Sequence, residues 1–113
     1  MANYNQLPVY KATYDLLLYL FQAGRDMQRD YRYTLGETMK KDLTEILVLI
    51  YRANSVHEKG PVLAEAREKL VAVKLHMRLL HDLKQLSVKA YANASLMAES
   101  ISKQLSAWQK NYE

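Results

Sequence analysis

From Tyr91 to Tyr112 apolar side chains recur at spacings of three and four without a break: Tyr91, Ala94, Ala98, Ile101, Leu105, Trp108 and Tyr112. That interval is one turn of an α-helix, so the whole series shares one face. A chain made of such stripes must bury them against each other, which means packed helices. Little interrupts them: the 113 residues include only three glycines and two prolines. Neither a loop-rich nor a many-stranded fold suits so few chain-breakers.

Three more segments carry the same periodicity. The first is predicted over residues 8–28, with Pro8 in its first turn and Tyr10, Tyr14, Leu17, Phe21 and Gly24 on one face. Arg29-Asp30-Tyr31-Arg32-Tyr33 breaks the pattern. Thr34-Leu35-Gly36-Glu37 then reads as a capping box opening a second helix, whose inward face is Met39, Leu43, Ile46, Ile50 and Ala53 and which ends near Ser55. A turn at His57-Glu58-Lys59-Gly60-Pro61 leads to a third helix over residues 61–86, with Leu63, Ala66, Leu70, Val73, Met77 and Leu80 inward. Ser87 is a candidate cap for the fourth. Connections this short place successive helices antiparallel. The expectation is all-α: one antiparallel up-down four-helix bundle, a single domain over residues 1–113.

The third helix carries more apolar surface than one core contact needs. At about 100° per residue, Leu75, Leu79, Leu83 and Leu86 form a second stripe, well apart from the Leu70/Val73/Met77/Leu80 face. A helix buried on two sides within its own bundle would explain it. A four-helix bundle has no central helix, so an interface between subunits explains it better.

Composition excludes several kinds of chemistry. There is no cysteine, hence no disulfide, thiolate metal site or cysteine nucleophile. Di-iron bundles use inward Glu-x-x-His pairs, whereas Asn54, Val73 and Arg78 precede His57, His76 and His81 by three. His76 and His81 lie about 140° apart around a helix and do not converge on one metal. Gly24, Gly36 and Gly60 are isolated and build no phosphate loop. No nucleophile sits in a recognisable elbow or triad setting. The expectation is no catalytic residue, no metal and no cofactor: a protein that binds. Met1 to Asn5 lack the basic start and apolar stretch of a signal peptide. The longest apolar runs, 16–21 and 46–51, fall short of the roughly 20 residues of a membrane span. A cytoplasmic protein away from the membrane is therefore expected.

The net charge of +4 lies wholly in the second half. Residues 1–65 hold eight Lys/Arg and eight Asp/Glu; residues 66–113 hold eight against four. Arg67, Lys74, Arg78 and His81 fall within about 60° of one another on the third helix. Such a row can neutralise successive phosphates and release counterions; it is equally the charged face of a soluble bundle. A second candidate is Tyr31-Arg32-Tyr33 with Arg25 and Arg29 just before it. Interleaved tyrosine and arginine stack bases and hold phosphates, or close the end of a bundle as amphipathic covers.

Three features recur together along the chain: Tyr31-Arg32-Tyr33-Thr34-Leu35-Gly36-Glu37, the Lys74-x-x-x-Arg78 pair among leucines, and the closing Leu105-Ser106-Ala107-Trp108. In that order they resemble the small four-helix-bundle family of the accessory variability (Avd) proteins of diversity-generating retroelements. The family also includes proteins encoded in 23S rRNA intervening sequences. The resemblance implies an up-down bundle assembled as a homopentamer, without catalytic activity. It implies binding to a reverse transcriptase and to RNA or RNA/DNA through a basic surface, and it carries that contact onto Lys74 and Arg78. Many members have glycine where this chain has Ser102 and Ser106. An intervening-sequence protein and a helical protein-binding adaptor are the alternatives.

Overall fold

The computed structural model describes residues 3–112. Four long helices account for most of them: α1 (Pro8–Ala23), α2 (Glu37–Ser55), α3 (Lys59–Asp82) and α4 (Val88–Lys110). No strand occurs among the described residues. Consecutive helices pack on each other, and α1 also packs on α4, closing a four-membered ring. The α3 helix, 24 residues and so about 36 Å long, spans most of the 43 Å long axis. The protein is a four-helix bundle.

The core follows the predicted stripes on three helices. Met39, Leu43, Ile46, Ile50 and Ala53 are buried on α2, as are Leu63, Ala66, Leu70, Val73, Met77 and Leu80 on α3. From α4 come Ala94, Ala98, Ile101 and Leu105, with Trp108 packed partly buried at the end of the seam. The first helix differs. Its buried face is Val9, Thr13, Leu16 and Leu20, while Tyr14 and Phe21 point outward. Thr13 is tolerated there because its hydroxyl donates to the Val9 carbonyl at 2.8 Å, so no polar group is left unpaired.

The first turn between helices also departs from expectation. Helix α1 stops at Ala23, not near residue 28. Gly24–Asp26 tightens into a 3-10 turn, and the extended Met27 drives its side chain into the core. Helical structure resumes at once, as a turn at Arg29–Tyr31 that widens into a π-turn at Arg32–Gly36 and runs on into α2. The capping box does not form. The Thr34 hydroxyl donates backward to the Asp30 carbonyl at 2.6 Å instead of accepting from the residues ahead. The helix starts earlier because its entry is held from elsewhere: the Gln28 N–H donates to Gln85 Oε1 at 2.7 Å. Gly36 closes the wide turn, its backbone packed near the Tyr31 carbonyl oxygen and Met27.

The end of α3 is a correction with consequences for the surface. The helix begins at Lys59, with Pro61 inside its first turn, and finishes at Asp82 rather than at residue 86. Lys84 takes the left-handed conformation (φ 63°). Its N–H donates to the His81 carbonyl at 2.9 Å and that of Gln85 to the Leu80 carbonyl at 2.7 Å, the paired closure of a Schellman motif. The reversal swings Leu86 back into the core, where it is 3% exposed. Ser87 then caps α4, its hydroxyl accepting from the Ala90 N–H at 3.0 Å.

Between α2 and α3 the partner of Glu45 is Lys69, at 2.7 Å, across the helix pair rather than along one helix. The hydrogen bond from Lys69 holds the Glu45 carboxyl below its ordinary pKa and raises the lysine above its own. No helix is long and apolar enough to cross a membrane.

Candidate nucleic-acid interface

Arg67, Lys74, Arg78 and His81 line one edge of α3, on the side of α4. Each already has a polar or aromatic neighbour. Arg67 Nη1 donates to Gln109 Oε1 at 2.7 Å. Lys74 Nζ lies 3.4 Å from Glu99 Oε2 on α4. Arg78 Nε is 3.7 Å from Asp82 Oδ2, one turn on along α3, with an exposed side chain. The His81 ring stacks on Tyr91 at 4.6 Å between centroids, and its Nδ1 is 3.3 Å from Asp82 Oδ1. Glu99 and Asp82 thus face two permanent cations, Lys74 and Arg78, while Arg67 is held by a neutral amide. Solvent-exposed pairs of this kind contribute little and are readily exchanged. A phosphate oxygen can take over from either carboxylate, and Lys89, Lys103 and Lys110 stand exposed on α4 nearby in sequence.

Beside that edge runs an uncovered apolar row. Leu75 is 58% exposed, Leu79 38% and Leu83 39%, and Val71, one turn before Leu75, is 66% exposed. Val71 escaped the sequence reading, although its i−4 spacing from Leu75 was the available signal. Leu86, expected in this stripe, does not belong to it: the Schellman turn buries it within the protomer. It cannot present itself to a second subunit. So α3 carries its core face, a basic edge and an apolar row around one circumference.

The Tyr31–Tyr33 segment is helical and not a loop. Tyr33 is the exposed centre of an arginine pair, with the Arg32 Cζ 5.3 Å and the Arg29 Cζ 5.8 Å from its ring centroid. Tyr31 faces the other way and packs against the core. Of this group, Arg29, Arg32 and Tyr33 remain at the surface or its margin, and Tyr31 is a structural cover.

A scan against protein-family models matches residues 7–112 to the bAvd-like family. The chain belongs to the bAvd-like family. The match takes in all four helices, the basic edge and the closing Trp108. At the level of the family, this is an Avd-type accessory protein, from a group of accessory, non-catalytic proteins. No curated protein matches the chain.

In this bAvd-like bundle two of the three histidines have close neighbours within the protomer. His76 Nδ1 lies 4.0 Å from Asp42 Oδ2 between α3 and α2, and His81 is held against Tyr91. Among the described residues no three of His, Cys, Asp and Glu come together in a way that could hold a metal. Ser102 and Ser106 are half-buried on α4.

Proposed function

We propose that this bAvd-like chain serves a diversity-generating retroelement as an assembled, basic scaffold that binds the reverse transcriptase and its template RNA. The observation that carries the reading is the division of labour around α3. Val71, Leu75, Leu79 and Leu83 lie exposed in a row, and Arg67, Lys74, Arg78 and His81 lie along the adjoining edge. An apolar row of that length in water is best covered by another copy of the chain. Five copies, the number the family resemblance implies, would close a ring and repeat the basic edge around it. Repetition matters because a net charge of +4 per chain is modest. Several weak phosphate contacts made together give useful affinity by raising the effective concentration of each. Arg78, whose side chain is 73% exposed, makes first contact with RNA or polymerase; Lys74 follows by exchanging Glu99 for phosphate.

Light scattering after gel filtration tests the assembly, and five times the 13.1 kDa chain mass is the expected result. A monodisperse monomer at micromolar concentration would remove the assembly from this account. Affinity for a structured RNA should fall steeply with salt, by roughly 0.7–0.9 log units per log unit of salt for each phosphate neutralised. Binding that ignores salt would contradict a phosphate-led contact.

A further inference from the structure

On the opposite edge of the bundle, between the end of α1 and the start of α2, lies a cavity of about 410 Å³ lined by Leu18, Phe21, Gln22, Arg25, Arg32 and Lys40, with Gly24 beneath. Lys40 is 7% exposed, yet among the described residues none of the ion pairs involves it, Arg25 or Arg32. Its ammonium rests 4.1 Å from the centroid of the Phe21 ring. It also lies beside Gly24, where a Cβ would stand 3.7 Å from Nζ. The ring face and the C-terminal end of α1 both favour a cation there, though neither neutralises it. Arg32 adds a buried Nε with no acceptor. Three cations thus converge on one cavity whose lining contains no carboxylate.

A buried cation without a counter-ion is unfavourable, and buried N–H donors without acceptors are uncommon in native proteins. Both are resolved by one ligand with several anionic oxygens. Guanidinium groups suit phosphate geometrically, and three positive groups suit a phosphomonoester dianion better than a singly charged diester. The lining also specifies what the phosphate carries. Phe21 is 51% and Leu18 45% exposed, so a flat, partly apolar group attached to the phosphate has a surface to lie on. A volume of this size is ordinary for a small-ligand cleft.

We propose that the Arg25/Arg32/Lys40 cavity binds the phosphomonoester of a nucleotide, with the phosphate on the three cations and the nucleoside against Phe21 and Leu18. This site stands apart from the α3 edge and does not depend on the function proposed for it. The nucleotide is either free or the 5′-terminal residue of an RNA, and the chemistry recognised is the same.

Calorimetric titration of the full chain with AMP, adenosine and inorganic phosphate tests the proposal. AMP should bind, with adenosine and inorganic phosphate each at least tenfold weaker. Lys40→Met keeps the buried stem while removing the charge, and should weaken AMP binding tenfold or more. Arg25 is exposed, so Arg25→Gln should fold normally and weaken AMP binding several-fold even if Lys40→Met does not fold. Lys74→Ala with Arg78→Ala should leave AMP binding unchanged. A 5′-phosphorylated tetranucleotide that binds more tightly than AMP, with its 5′-hydroxyl counterpart much weaker, supports an RNA end as the source. Equal affinity for AMP and the phosphorylated tetranucleotide supports a free nucleotide. No AMP binding at millimolar concentration would overturn the proposal. So would inorganic phosphate binding as well as AMP, or AMP binding unaltered by Arg25→Gln.

Discussion

Replacing Leu75 and Leu79 together with Asp is expected to leave a folded, helical protomer that no longer assembles. Both side chains are substantially exposed on the isolated protomer, so the substitutions remove little from its own core. At a subunit interface the balance reverses. Two carboxylates would leave water without partners, each at an effective cost of several kcal/mol, and the apolar contacts of two leucines would be lost as well. Association should weaken by about a hundredfold at least, since 1.4 kcal/mol corresponds to a factor of ten. Gel filtration with light scattering should report the monomer mass at micromolar concentration, with the far-ultraviolet helical signal preserved. An assembly of unchanged mass would place the subunit contact elsewhere on the bundle.

The second large effect concerns the face that α1 turns inward. Leu16 is fully buried, and Leu16→Ala should destabilise the fold by about 2–5 kcal/mol, through lost transfer energy and the cavity left behind. Against a typical total of about 5–15 kcal/mol, that is a large fraction. Leu18→Ala, two residues on and 45% exposed, should cost far less. Urea unfolding at a fixed protein concentration separates the two, the fixed concentration being needed because the apparent stability of an assembling protein depends on concentration. Equal losses at Leu16 and Leu18 would mean that α1 is rotated relative to the core described here.

That comparison bears on what could be read from the sequence. On α3 only one three-four series, Leu63 to Leu80, runs from the first turn without charge, and it is the core; the Val71/Leu75/Leu79 row is preceded by Arg67 and Glu68. On α1 two series compete: Tyr10/Tyr14/Leu17/Phe21 is the bulkier and more aromatic, whereas Val9/Thr13/Leu16/Leu20 includes a threonine. The structure selects the second because the Thr13 hydroxyl is satisfied by its own helix, while Phe21 is set outward beside Lys40. Local spacing does not encode that choice.

The same limit applies at the helix ends. Ser87 announces α4 because its cap is local. The entry at Arg29 carries no such signal, since the N–H that needs holding belongs to Gln28 and its acceptor, Gln85, is 57 residues away. Leu86 continues the leucine spacing of α3, yet lies beyond a reversal made by a lysine in the left-handed conformation, where glycine would have been the sequence cue. The basic edge was legible from angle alone. Its partners, Gln109 and Glu99, were not, because they come from a helix more than twenty residues along the chain. Nothing in the spacing around Lys40 marks it as buried; the turn at Gly24 and the packing of α1 on α2 bury it.

The central claim is that the α3 edge meets RNA, and the most direct test is the affinity of Lys74→Ala/Arg78→Ala for a structured RNA at physiological salt. The account predicts a loss of more than tenfold relative to the parent, with a shallower salt dependence. Helicity and assembly mass should be unchanged, which separates lost charge from lost packing by the two long side-chain stems. A correctly assembled double variant that binds the RNA as tightly as the parent does would contradict the account and leave Lys74 and Arg78 as a solvated helix face.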